Sequence, residues 1–125
     1  MGQITVGDGH INYEVEGDGP WLTLLHGFSQ HLAVWDPQVR RLAGAFRLLR
    51  VDLRGHGGSS IPNAAYGPVE YAADVLAVLD RLGIGATHLW GTHTGAGVGL
   101  LLAGQQPERV ATLALEGAVI PGTSQ

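Results

Sequence analysis

One stretch, Ala86 to Gln105, constrains this chain more than any other. An apolar segment ending at Trp90 runs straight into Gly91-Thr92-His93-Thr94-Gly95, and then into the small and apolar run Ala96 to Gln105. The pattern reads as a short buried strand, a tight turn bracketed by glycines and a helix over 94–106 that begins at once. Strand and helix nearly collide at such a turn, so a Cβ at either bracketing position would push them apart; glycine avoids this. The middle residue is lifted above the sheet beside the first turn of the helix. That residue is His93, and histidine is among the non-glycine residues enriched at positive φ.

The rest of the chain alternates strands and helices. Gln3–Val6 and His10–Glu16 read as strands joined through Gly7-Asp8-Gly9, and Gly17-Asp18-Gly19-Pro20 is the next turn. Trp21–Leu25 reads as a buried strand ending on His26-Gly27-Phe28. A helix is expected over Trp35–Gly44, with Asp36-Pro37 in its first turn. Phe46–Val51 is a further buried strand. Val69–Leu82, opened by Pro68, is amphipathic, with Ala72, Val75, Leu76, Leu79 and Leu82 on one face and Gly83 and Gly85 ending it. After the 94–106 helix come Pro107-Glu108-Arg109 and a sixth strand, Val110–Glu116. This alternation implies a single α/β domain over 1–125, with a mainly parallel sheet and helices on both faces.

Composition removes several function classes. The formal net charge is −4 with no basic cluster, which argues against a nucleic-acid partner. There is no Lys, so neither a P-loop lysine nor Schiff-base chemistry is available. There is no Cys, hence no thiol nucleophile or thiolate metal site. Apolar runs are short and broken, so no membrane association is expected and the cytoplasm is the expected compartment.

His26-Gly27-Phe28, Trp35 with Asp36-Pro37, Asp52-Leu53-Arg54-Gly55-His56-Gly57-Gly58-Ser59, the 91–95 turn and Pro107-Glu108-Arg109-Val110 follow in an order that resembles the α/β-hydrolase fold. The likeness is to the branch holding enol-lactone hydrolases and small esterases. It implies that the 91–95 turn is a nucleophile elbow, with His93 where the family's usual serine stands. It also implies an oxyanion hole built from the backbone N–H groups of Phe28 and Thr94. The latter amide sits at the positive end of a helix, which suits an oxyanion. His26, Gly27, Gly91, Gly95, Asp52 and Glu116 are the supporting residues that the resemblance and their strand-end positions suggest. The implied activity is ester or lactone hydrolysis by acyl transfer; hydrolysis of a carbon–carbon bond is available on the same scaffold. No metal or organic cofactor is implied.

In that fold the triad's acid and base follow the nucleophile, beyond a sixth strand, and this chain is expected to end just past that strand. Within the sequence, Asp52 and Glu116 are the acids available to pair with His93. Thr92 and Thr94 flank the tip and are expected to point away from the pocket. His10 and His31 read as surface residues, His56 as a brace of its own loop and His88 as a core or sheet-face residue. Val110–Glu116 is nearly continuously apolar, which predicts a strand covered on both faces. With nothing beyond it, its free edge calls for a second copy or another chain.

Two other readings have sequence support. Gly95-Ala96-Gly97-Val98-Gly99 opening a helix, with Glu116 at the next strand's end, mimics a dinucleotide-binding unit, although the third glycine falls one position early. The main alternative is a hydrolase-like domain without catalysis that binds a small ligand or a partner chain. Trp35, Trp90, Tyr66 and Phe28 would line its pocket.

Overall fold

A computed structural model describes residues 2–7, 9–60 and 66–117. In chain order the elements are β1 (Gly2–Val6), β2 (Gly9–Gly17), β3 (Trp21–Leu25), a 3₁₀ turn (Leu32–Trp35) running into α1 (Asp36–Leu42), β4 (Arg47–Val51), α2 (Pro68–Arg81), β5 (Thr87–Thr92), α3 (Thr94–Gln105), a 3₁₀ turn (Pro107–Arg109) and β6 (Val110–Glu116). The strands form one sheet in the order β1-β2-β4-β3-β5-β6. β1–β2 and β2–β4 are antiparallel, and the three remaining pairings are parallel. Asp8, the middle of the expected β1–β2 turn, lies outside the described residues, as do 61–65 and 118–125.

Alternation along each central strand divides the core between two faces. Leu25, Leu49, Val51 and Leu89 meet α2 and α3 through Tyr71, Val75, Leu79, Val98 and Leu102. Leu22, Leu24 and Leu48 meet Trp35 and Val39 on the opposite face, under α1. Helices therefore cover both faces, as the alternating pattern implied.

The helix expected over Trp35–Gly44 is shorter and begins differently. The His31 imidazole accepts the Ala33 N–H at 3.3 Å, closing a 3₁₀ turn ahead of α1, and Pro37 then sets the first α-helical turn. On α2 the Glu70 carboxylate accepts the Gly67 N–H at 2.7 Å, one of the bonds of an N-terminal capping box. Its inward face differs in part from the expected one. Tyr71, Asp74 and Val78 are buried while Leu76 and Leu82 are only half-buried. Asp74 is tolerated inside because both its oxygens take the Arg54 guanidinium at 2.8 Å.

β6 departs most from expectation. Only Val110 and Leu113 are half-buried, and its other five residues are exposed. Among the described residues it pairs with β5 alone, and α3 is the helix packed beside it. No described helix is long and apolar enough to cross a membrane.

Candidate active site

β5 ends at Thr92 and α3 starts at Thr94, so His93 alone makes the turn. It does so at φ 51° and ψ −116°, a conformation that costs about 1–3 kcal/mol and persists only where the surroundings enforce it. The enforcement comes from packing. A Cβ on Gly91 would lie 2.4 Å from the Gly95 carbonyl oxygen, and one on Gly95 would lie 2.2 Å from that of Leu25. The His93 N–H donates to the Glu116 carbonyl at 2.8 Å, and the His93 carbonyl accepts from Ala96 and Gly97. The side chain is exposed at the tip. It stands between two glycines, with Cβ and Cδ2 toward Gly27 and with Nδ1 and Cε1 toward Gly117. Of the two ring nitrogens, Nδ1 is the nearer to Gly117.

The loop after β3 is held by buried polar groups. The Leu53 N–H donates to His26 Nε2 at 2.9 Å, so the imidazole proton resides on Nδ1 and is donated to the Gly27 carbonyl at 2.7 Å. Burial lowers the pKa of His26 to about 4, keeping it neutral. The Gly27 carbonyl and the Phe28 N–H belong to one peptide, and a trans peptide directs them oppositely. Clasping the carbonyl therefore aims the Phe28 amide. Gln30 completes the loop: its side-chain oxygen accepts the Gly27 N–H at 2.9 Å and its own N–H returns to the Gly27 carbonyl. Neither the Phe28 nor the Thr94 amide donates to another group among the described residues.

Asp52 serves this loop rather than His93. Its carboxylate is buried and accepts N–H groups from Leu32, Asn12 and Gly58 at 2.7, 2.9 and 2.9 Å. Ser59 Oγ donates to the Asp52 carbonyl at 2.6 Å and accepts the Asn12 N–H at 2.9 Å, tying β2 to the same junction. Arg50 anchors α1 below it. Its guanidinium bonds Asp36, Glu14, Glu16 and the Leu32 carbonyl. Burial opposes its charge, but the Asp36, Glu16 and Glu14 carboxylates outweigh burial and hold its pKa above the ordinary value.

On the other side of His93 lies a cavity of about 190 Å³, on the α1 face. His93, Glu116, Trp90, Trp35, Gln38 and Gln30 contribute most of its polar and aromatic wall. Thr92 lines it too, contrary to expectation, because strand alternation places Thr92 on the same face as Trp90. Trp35 and Trp90 pack edge to face with ring centroids 5.1 Å apart. Phe28 and Tyr66 do not join them. Phe28 is 70% exposed and forms a T-shaped pair with His56, and Tyr66 packs on Tyr71.

Neither acid pairs with the imidazole of His93. Asp52 is occupied as described, and the Glu116 carboxylate accepts the Trp90 indole N–H at 2.8 Å. His88 bridges β5 to β6 through Thr112 Oγ1 at 2.7 Å, and His10, half-buried, meets the Gly58 carbonyl. On α3, Gly95 and Gly99 serve close packing: a Cβ on Gly99 would fall 2.7 Å from Leu89. Among the described residues no cluster of histidines and acids could hold a metal.

Three polar site residues escaped the sequence reading, Gln30, Gln38 and Thr92, as did apolar Val34. For Gln30 a signal existed, since a glutamine three residues after a strand-end glycine can reach back to its N–H. The other three are placed by the β5 register and by α1 with the 3₁₀ turn before it, which no local pattern specifies.

A family model described as alpha/beta hydrolase fold matches residues 20–124. Fluoroacetate dehalogenase of a Burkholderia species is 38% identical over 117 residues, covering 90% of this chain and 38% of that protein. The pimeloyl-[acyl-carrier protein] methyl ester esterase of Nitrosomonas europaea is 42% identical over 105 residues, covering 84% and 40%. The crystal structure of the enol-lactonase from Burkholderia xenovorans superposes with a TM-score of 0.85 at 31% identity, covering 90% of this chain and 45% of that one. The chain thus spans less than half the length of the relatives it matches. With a six-stranded sheet in this order and a strained strand-to-helix turn at its carboxyl end, the chain belongs to the α/β-hydrolase fold family.

Proposed function

We propose that this chain carries the nucleophile and oxyanion half of a site for ester or lactone hydrolysis by acyl transfer, with His93 as nucleophile. The observation that bears most on this is the strained backbone of the exposed residue His93, beside two amides with no acceptor among the described residues, those of Phe28 and Thr94. An esterase and an enol-lactonase among the similar proteins point to the same substrate class. A neutral imidazole needs no base to become nucleophilic, unlike a serine hydroxyl. Its Nε2 lone pair forms a bond to the acyl carbon, and the carbonyl oxygen becomes an oxyanion between the Phe28 and Thr94 N–H groups. The oxyanion collapses and expels the alkoxide, which takes a proton from water. The hydroxide left behind then attacks the acyl-imidazolium, releasing the acid and restoring neutral His93.

The test is an ester and lactone panel assayed on wild type, His93→Ala and His93→Ser. Loss of turnover by at least about a hundredfold in His93→Ala is expected. Acid quenching during turnover of an activated ester should leave the acyl mass on the peptide bearing His93. Turnover indifferent to position 93 overturns the proposal, whereas a gain in His93→Ser would place a proton acceptor elsewhere in the assembly. We also propose that the exposed outer edge of β6, where Leu115 is 36% exposed, pairs with a strand from a second copy or another chain. A monomer by light scattering, from a sample with dispersed amide signals, overturns this second proposal.

A further inference from the structure

The cavity beside His93 has two properties that the acyl-transfer reading does not use. One is charge. Glu116 stands in its wall and no arginine does. Four of the chain's arginines are engaged elsewhere: Arg50 by three carboxylates, Arg54 by Asp74, Arg109 by Asp80 and the Ile84 carbonyl, and Arg47 over the Trp21 ring. An anionic group in the cavity would meet a like charge in its wall, while Arg41 lines only the neighbouring cavity that shares Gln38 and Trp90.

The other property is unspent hydrogen bonding. Trp35 Nε1 and Gln38 Oε1 are both buried and neither has a partner among the described residues. Trp35 itself is 3% exposed, and both residues line this cavity with His93. A buried donor and a buried acceptor without partners, on two residues that line one cavity, are costly unless something supplies their complements. A hydroxyl both accepts and donates, and an amide does the same with two atoms. Val34 and the two indole rings furnish the apolar remainder.

We propose that this cavity is the acyl subsite and takes an uncharged acyl group carrying a hydroxyl or amide, excluding carboxylate-bearing acyl groups through Glu116. The proposal rests on the acyl-transfer reading for the word acyl, but its test needs no turnover. Three small ketones of similar size serve as probes: methyl propyl ketone, the same ketone with a hydroxyl in place of its terminal methyl, and levulinate, which carries a carboxylate there. The readout is the set of indole N–H resonances. Trp35 and Trp90 line the cavity, and Trp21, beneath Arg47, is the internal control.

The hydroxy ketone should shift the Trp35 and Trp90 signals, leave Trp21 still, and bind at least about threefold more tightly than methyl propyl ketone. Levulinate should bind about fivefold more weakly than methyl propyl ketone, a gap of the size expected for a solvent-screened charge. Glu116→Gln should close most of that gap without altering the order of the two neutral ketones. Levulinate binding as tightly as the hydroxy ketone to wild type overturns the proposal, and so does a set of probes that moves neither cavity indole. Indole shifts without ester turnover in any assay would instead remove the acyl-transfer reading and leave the cavity's selectivity standing.

Discussion

The ends of β3 and β4 and the end of β6 flank the same imidazole, yet they are held in opposite ways. On the first side, the buried groups His26, Asp52 and Ser59 spend their hydrogen bonds on backbone and side-chain partners, so the Gly27–Phe28 peptide has one orientation. On the second side, β6 is mostly exposed. Two bonds reach its last residue near the site, from the His93 N–H and the Trp90 indole, and both end on Glu116. Amides that must meet a developing charge have to be in place beforehand, and a satisfied buried network does that. A wall that reads substrates needs less rigidity and more chemical variety. The difference between the two sides separates where chemistry would be fixed from where selectivity would be set.

That contrast can be broken or sharpened by measurement. The largest effect is expected at the junction both sides share. Gly95→Ala puts a Cβ against the Leu25 and His26 carbonyls, which are backbone and cannot swing away, so denaturant unfolding should show a loss above about 3 kcal/mol. Next is the rigid side's response to acid. His26 has its pKa lowered from 6.5 to about 4, so the unfolded chain binds a proton that the native one refuses. Stability from this group is full above 6.5 and is lost as pH falls toward 4, by about 3 kcal/mol in all. Unfolding curves across that window should show the slope, and His26→Asn should flatten it.

Asp52→Asn comes third. The amide keeps one acceptor oxygen where the two carboxylate oxygens accept three N–H groups, so about 2 kcal/mol should be lost in the same unfolding experiment. The smallest effect belongs to the open side. Glu116→Gln is exposed and keeps an oxygen for the Trp90 indole, so stability should change by less than about 0.5 kcal/mol. A loss as large as that of Asp52→Asn would show that the two sides are held alike, and would end the comparison.

Some of this was legible without coordinates. The bracketing glycines at 91 and 95 predicted the collision that the backbone shows, and β3 was bounded to the residue because a short apolar run met glycine-rich turns at both ends. The amphipathic period of α2 located the helix, but its buried face includes Asp74, a charge made tolerable inside by Arg54, twenty residues away in sequence. For β6 a nearly continuous apolar run suggested two covered faces. Apolarity shows only that a strand can be covered, and whether it is covered depends on its neighbours in space.

The local sequence by itself determined the turn at His93, since one residue linking a strand to a helix between two glycines leaves the backbone almost no other path. It also determined the αβ alternation, because periodicity and glycine placement are short-range properties of the chain. Only the tertiary structure decided which groups Asp52 and Glu116 serve, that Thr92 faces the cavity, and that Trp35 and Gln38 stand there with hydrogen bonds unspent. Those outcomes follow from the register of β5 against β6 and from the seat of α1 on the sheet. Both depend on contacts between residues far apart along the chain.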